Sequence, residues 1–380
     1  MTVVATAARL AIAGQRTVFE VAVTRSIPFQ VFTLANPYRV VIDVPEMIFD
    51  LAPGAGREGR GLVSAFRYGL FAEDRSRIVI DATGPVRVVR SDVVPGVAGQ
   101  SVRLQLELEA ITPEAYAAAM AAVAPSPPAP PNPQTAPREP RPASGKFVVM
   151  IDPGHGGIDG GAVNGSQVVE KEIVLAVARQ LKGALDAKGR FDVRMTREND
   201  IFVSLDQRVA MSQAADANLF ISIHADSVAD AALARSARGA SLYTLSETAS
   251  NQAAQAFADK ENAADAASGV ERAQDPGGEQ VNSILVDLMK RETQNFSLAF
   301  RQALIDRLRP INMLAREPAR AAAFKVLRQT QTPTVLIELG FLTHETDAQQ
   351  MQTAEWRKRI AGAIAAAVDA YFAKRSAEQR

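Results

Sequence analysis

At 380 residues the chain exceeds what one hydrophobic core usually serves, so two domains are expected. Lys+Arg and Asp+Glu both total 42, which removes any net-charge argument for nucleic acid or an anionic membrane, and no apolar run is long enough to span a bilayer. Cysteine is absent, excluding disulfides, thiolate catalysis and cysteine-type zinc sites, so any metal must draw on His155, His224, His344 and carboxylates.

The first residues, "MTVVATAARLAIAGQ", lack a basic region followed by a long apolar one, so no signal peptide is evident. This suits either a cytoplasmic protein or a mature form whose leader is removed or omitted. Residues 5–110 then read as short alternating strands, among them "RTVFEVAVT", "YRVVIDV", "SRIVIDA" and "SVRLQLELE". Period-2 alternation between turn residues predicts an all-β sandwich of antiparallel strands. The near-repeat of "RVVID" at 39–43 by "RIVID" at 77–81 suggests two similar halves facing each other. A helix from Thr112, with Pro113 at its first position, closes the domain near Ala124.

The segment "PSPPAPPNPQTAPREPRP", 125–142, holds nine of the 21 prolines and reads as an extended linker. The organisation is therefore a β-sandwich over 1–111, a short helix and proline-rich linker over 112–145, and a second domain over 146–380. In that domain strands alternate with helices: "KFVVMID", "EKEIVLAVARQLKGALDAKG", "FDVRMTR", "SLDQRVAMSQAA", "ANLFISIHAD", "GASLYTL", "TPTVLIELGF" and a final helix at 353–374. The alternation predicts an α/β domain with a mixed, mostly parallel sheet between helix layers. Ile173, Val177, Leu181 and Leu185 share one face of its first helix.

Three strand-like runs end in unusual polar residues: "VVMIDPGH" in His155, "LFISIHAD" at His224 and "TVLIELGF" at Glu338. In open α/β sheets such positions line the active crevice. Glu170, at the start of the helix after the glycine-rich loop "GHGGIDGGAVNG", lies near the same edge. Two histidines and a carboxylate are a standard catalytic zinc set with one position open to water, and a further carboxylate such as Glu338 serves as base. The glycines would let substrate approach the backbone closely. On spacing alone, a structural histidine and a Glu favoured by the helix dipole fit as well. His344 reads as a loop or capping residue.

The blocks "MIDPGHGGIDGGAVNGSQVVEKEIVLAVARQL", "SLDQRVAMSQAADANLFISIHAD" and "PTVLIELGFLTHETD" resemble, in order and spacing, those of the zinc-dependent N-acetylmuramoyl-L-alanine amidases, the Amidase_3 family, over most of 147–375. The resemblance implies one Zn2+ held by His155, Glu170 and His224, with Glu338 as the catalytic carboxylate. It implies hydrolysis of the amide joining N-acetylmuramic acid to L-alanine of the peptidoglycan stem peptide. His344 departs from the family, whose members usually carry a small polar residue there.

An insertion at about 247–300 separates "GASLYTL" from the last sheet strand. Its first part, "ETASNQAAQAFADKENAADAA", should be helical, but only Phe257 is bulky, so weak attachment is expected; a better amphipathic helix follows from Val281. Surface decoration is the plain reading. In division-associated relatives, however, an inserted helix blocks the site through a glutamate on the open zinc position. "DKENAAD" is similar to that helix, which implies Glu261 as the inhibitory fourth ligand, with Glu271 and Glu279 as less favoured substitutes. An autoinhibited enzyme of this kind implies a LytM-type activator as partner.

The N-terminal sandwich resembles an AMIN domain, which targets such amidases to peptidoglycan at the division site. The whole reads as a monomeric periplasmic cell-wall hydrolase acting in daughter-cell separation, with no nucleic-acid partner and no membrane span. Two alternatives are a catalytically silent peptidoglycan-binding scaffold and a zinc peptidase cutting within the stem peptide.

Overall fold

A computed structural model describes residues 2–96, 101–122, 145–164, 168–228, 237–270, 284–311 and 313–378. The proline-rich stretch 125–142, Glu271 and Glu279 lie outside them. The chain divides into two compact units, the first centred on Met1–Pro131 and the second taking most of the chain from Asn132 onward.

The first unit is a sandwich of two sheets. One is ordered β5-β1-β2-β9-β8, from β1 (Val3–Ala13), β2 (Arg16–Val23), β5 (Met47–Phe49), β8 (Val86–Val94) and β9 (Val102–Ala110). The other is ordered β3-β4-β7-β6, from β3 (Gln30–Leu34), β4 (Arg39–Pro45), β6 (Val63–Ala72) and β7 (Arg75–Ala82). All neighbouring pairs are antiparallel except β1 with β5. Alternate residues such as Phe19, Val21, Ile42, Ile78, Leu104 and Leu106 meet in one buried core.

The two repeats do not face each other from opposite halves. "RVVID" and "RIVID" are β4 and β7, adjacent strands of one sheet, with Arg39 opposite Asp81 and Asp43 opposite Arg77. Antiparallel pairing of a motif that begins with Arg and ends with Asp sets opposite charges across from each other at both ends. At one end the pair is bidentate, Arg77 Nε donating to Asp43 Oδ1 (2.6 Å) and Nη2 to Oδ2 (2.8 Å). Helix α1 (Pro113–Ala122) follows, with Thr112 Oγ1 accepting from Ala115 N–H.

The second unit is built on a sheet ordered β11-β10-β12-β15-β13-β14. Its strands are β10 (Phe147–Pro153), β11 (Phe191–Met195), β12 (Leu219–His224), β13 (Ala240–Leu245), β14 (Leu314–Ala322) and β15 (Thr334–Glu338). β11, β10, β12 and β15 run parallel; β13 is antiparallel to β15 and β14 parallel to β13. Along the buried strands alternate side chains serve two cores. Val149, Ile151, Ile221 and Ile337 pack with α2 (Glu170–Asp186) and the long helices, whereas Val148, Met150, Phe220 and Leu336 join the core of the opposite face. α3 (Leu205–Ala214) opens with a capping box between Ser204 and Gln207.

The region 247–300 separates into two parts. α4 (Gln252–Asn262) carries the alanine-rich segment, while α5 (Ile284–Leu308) buries Phe300, Leu304 and Leu308 against α7 (Ala354–Glu378) as part of the main core. Between α6 (Glu345–Met351) and the end of β15, His344 takes the N-cap position of α6 without a side-chain capping bond. Among the described residues no helix is long and apolar enough to cross a membrane.

Candidate active site

The parallel order of β10, β12 and β15 delivers the ends of all three strands to one edge of the sheet. His155 lies two residues past β10, His224 ends β12, and Glu338 ends β15 in direct register with His224. Glu170 opens α2, packed against the same strands. Local sequence explains each terminus: an apolar run long enough to cross the sheet, then a polar residue where the strand leaves the core.

His155, Glu170 and His224 form a buried group whose ligand atoms lie within 4.8 Å of one another. Glu170 Oε1 is 3.2 Å from His155 Nε2 and 3.2 Å from His224 Nδ1. Glu261, from α4, brings Oε2 to 3.4 Å from His155 Nε2 and 3.3 Å from His224 Nδ1. A tetrahedral cation with bonds of about 2.0–2.1 Å has ligand–ligand edges of about 3.3–3.4 Å, so these four contacts have the size of the edges of one zinc tetrahedron. His224 Nδ1 is buried and accepts or donates no hydrogen bond among the described residues, as expected of an atom kept for a metal.

Two glycines of the "DPGHGGIDGG" loop are explained by this crowding. A Cβ on Gly154 would sit 2.5 Å from the His224 ring, and one on Gly161, at φ +67°, would sit 2.7 Å from both Glu170 Oε2 and His155 Cδ2. The glycines make room for the ligands themselves. His155 is one of few non-glycine residues in the left-handed region, at φ 58°.

A buried polar frame holds that conformation. Arg208 donates from Nη1 to Asp152 Oδ1 (2.6 Å) and Pro153 O (2.8 Å), and from Nη2 to His155 O (2.7 Å). Arg197 donates to Pro153 O, Gly154 O and Lys171 O. Asp152 also accepts from Thr196 and Ser222 hydroxyls, both at 2.7 Å. Burial alone would push the Asp152 carboxyl up, but the Arg208 charge and these hydrogen bonds hold it below its ordinary value.

The carboxylates divide by environment. Burial acts upward on Glu170, yet the two histidines bring it well below the usual range, and N–H groups of Ala225 and Ala162 donate to its two oxygens at 2.8 Å. Burial pushes Glu338 well above the ordinary range, reinforced by the charges of Asp226 and Glu170. Its Oε1 accepts from Asp226 N–H (2.7 Å), while Oε2 has no hydrogen bond among the described residues. The two environments push these neighbouring carboxyls in opposite directions, a division suited to acid–base chemistry.

Comparison with known proteins identifies the family. Residues 149–370 match the N-acetylmuramoyl-L-alanine amidase family and residues 9–106 match the AMIN domain. The chain belongs to the N-acetylmuramoyl-L-alanine amidase family. It is 32% identical over 361 residues to the amidase AmiC of Escherichia coli O6:H1, spanning 92% of this chain and 85% of that one. It is 31% identical over 363 residues to AmiC of Neisseria meningitidis, with 92% and 85% covered. Among solved structures, the amidase of Clostridium difficile 630 shares 22% identity over 60% of this chain and 98% of its own, with a TM-score of 0.43. The protein is thus a peptidoglycan amidase with an N-terminal AMIN domain.

In this amidase the four residues singled out at strand and helix ends share one edge, and Glu261 joins them. His344 stands apart from the ligand group, its Nδ1 3.9 Å from Asp347 Oδ1. The expected weak attachment of α4 is not what the structure holds. Ala254 and Ala258 are fully buried against the sheet, and Phe257 packs on Tyr243 and Phe324 at 5.3 and 5.2 Å between ring centroids. Small side chains let the helix approach closely, a use of alanine that hydropathy does not register. Asn262 completes the seat, donating to Ala323 O (2.9 Å) and accepting from Lys325 N–H (2.7 Å).

Sequence reasoning passed over Asp152, Arg197, Arg208, Asp226 and Lys260. The available signal was charge embedded in apolar runs, as in "MIDP" and "SIHAD", where an ionisable residue is retained only with a partner.

Proposed function

We propose that the protein is a zinc enzyme that hydrolyses the amide between the lactyl group of N-acetylmuramic acid and L-alanine, and that α4 keeps it closed through Glu261. The observation carrying this reading is the set of four 3.2–3.4 Å contacts linking Glu170 and Glu261 to the two histidines. His155, Glu170 and His224 would hold the metal. Bound there, zinc supplies Lewis acidity toward the amide carbonyl and the attacking water.

The chain's own groups do the rest. Glu338 Oε2 takes a proton from water as its hydroxyl adds to the acyl carbon. It then passes that proton to the nitrogen as the C–N bond breaks, and the new lactyl carboxyl group gives up its own proton to the amine, leaving a lactyl carboxylate and the ammonium of L-alanine. Burial raises the Glu338 carboxyl, which makes it a better proton acceptor than an ordinary carboxylate and suits the first transfer. Asp226 N–H fixes the other oxygen and so aims Oε2. Glu261 fills the position that water and carbonyl oxygen need, so the closed form is inactive until α4 leaves.

An inhibited cell-wall hydrolase with an AMIN domain fits a periplasmic, monomeric enzyme of daughter-cell separation, released by a LytM-type activator. The test is metal content and fragment analysis on the full chain and on Glu261→Ala. One zinc per chain, with intact stem peptides released at least about tenfold faster by Glu261→Ala, is expected, since a fourth ligand competes directly for the open site. Cleavage within the stem would indicate a peptidase, no release from either protein a silent scaffold, and equal release from both an enzyme without this lock.

A further inference from the structure

The inhibitory helix brings a second charged group to the site. Lys260, next to Glu261, is ion-paired through Nζ with Asp226 Oδ1. Asp226 has two tasks in one residue, because its backbone N–H donates to Glu338 Oε1 (2.7 Å) while its buried carboxylate receives the ammonium. The base and this carboxylate are therefore adjacent, and the buried Asp226 carboxylate is a place where a cation is the favoured guest.

Hydrolysis of an amide creates such a cation at this place. An amide, R–CO–NH–R′, and water become R–COO⁻ and R′–NH₃⁺, the nitrogen taking one water proton through Glu338 and the second from the new carboxyl group. Before the reaction the nitrogen is neutral; afterwards it is an ammonium beside the base. We propose that the Asp226 carboxylate is the subsite for the ammonium of the leaving L-alanine, and that Lys260 occupies it in the closed form.

Adjacent residues of α4 then imitate the two products together: the Glu261 carboxylate stands for the new carboxylate at the metal, and the Lys260 ammonium for the new amine. Asn262, clamped to the backbone of Ala323 and Lys325, fixes the register in which both reach their places. The lock is a product mimic, which explains why the helix sets a lysine, its side chain 45% exposed, at the rim of the site with its ammonium on the buried Asp226 carboxylate. It also predicts that Asp226 binds the charged product more strongly than the neutral substrate, an interaction made late in the reaction.

The inference rests on the proposed amidase activity and on opening by Glu261→Ala. The experiment uses the full chain. A synthetic peptide beginning with L-alanine, with either a free or an acetylated amine, is titrated as inhibitor of Glu261→Ala and of the same protein carrying Asp226→Asn. The free-amine peptide should inhibit at least about tenfold more strongly than the acetylated one, and Asp226→Asn should remove the difference while zinc content stays at one per chain. Equal inhibition by the two peptides, or a preference that survives Asp226→Asn, overturns the proposal.

A second arm needs no change at Asp226: Lys260→Met alone should raise basal release about fivefold and Lys260→Arg should not. An unchanged rate in Lys260→Met overturns the occupancy of the subsite by lysine. If Glu261→Ala is no faster than the parent, the lock reading fails, and the peptide comparison is read on the parent. If nothing releases stem peptide the activity reading fails, and calorimetry of the two peptides still decides the amine preference.

Discussion

Replacing Arg208 by Met tests whether the buried polar frame holds the site. The guanidinium makes four hydrogen bonds, to Asp152 Oδ1 (2.6 Å), Pro153 O (2.8 Å), His155 O (2.7 Å) and Val203 O (2.9 Å). Both charged side chains are nearly inaccessible, 3% exposed for Arg208 and 1% for Asp152. Methionine fills much of the volume, so the loss is mainly electrostatic: a buried carboxylate keeps two hydroxyl donors and loses its counter-charge. Removing one partner of such a pair costs about 3–5 kcal/mol. At about 2–4 °C per kcal/mol for a domain of this size, the midpoint should fall by roughly 6–20 °C.

Trp356, the only tryptophan, lies in α7 of the catalytic unit, so its fluorescence follows unfolding of that unit alone. Adding Asp152→Asn to Arg208→Met should cost at least about 1 kcal/mol less than the sum of the single effects, because the double variant no longer buries a lone charge. Zinc affinity should fall about 10- to 100-fold in Arg208→Met, since His155 loses the donor to its carbonyl. The cobalt-substituted spectrum should change with it. A loss under about 1 kcal/mol that adds to that of Asp152→Asn would refute the reasoning.

Gly161→Ala should bind zinc poorly, because its Cβ meets Glu170 and His155 at 2.7 Å and φ is +67°, whereas Gly183→Ala, with open space around it, should bind normally; metal content after dialysis separates them. Added to Glu261→Ala, Glu338→Gln should abolish release of stem peptide, and on its own it should stabilise the metal-free protein at pH 8. The Glu338 pKa is raised by folding, so the native state holds the proton longer than the unfolded chain. Stability is therefore lost as pH rises from the ordinary carboxyl value toward the folded one, and glutamine escapes that loss. Thermal midpoints at pH 4 and pH 8 should show the advantage of glutamine growing with pH; a constant difference would count against it.

Much of the site is legible in local sequence because each of its strand and helix members stands at or just beyond the end of a regular element. "VVMIDPGH", "LFISIHAD" and "TVLIELGF" state both the strand and its polar terminus, and parallel pairing puts the termini on one edge. The sandwich strands and the capped helix at Ser204 are legible for the same reason: alternation and capping depend on neighbours within a few residues.

What only the tertiary structure decided is long-range. The pairing of "RVVID" with "RIVID" as neighbours in one sheet joins segments 38 positions apart, with Asp43 bonded to Arg77 and Arg39 opposite Asp81. The firm seat of α4 depends on close approach by Ala254 and Ala258, which have little hydropathy but also little bulk. Asp152 with Arg208 and Asp226 with Lys260 are pairs in which a charge is tolerable only because a distant residue answers it. Sequence alone marked the polar residues that stand at the ends of its elements; the packed chain decided which charges meet, because a buried charge has no local signature beyond its need for a partner.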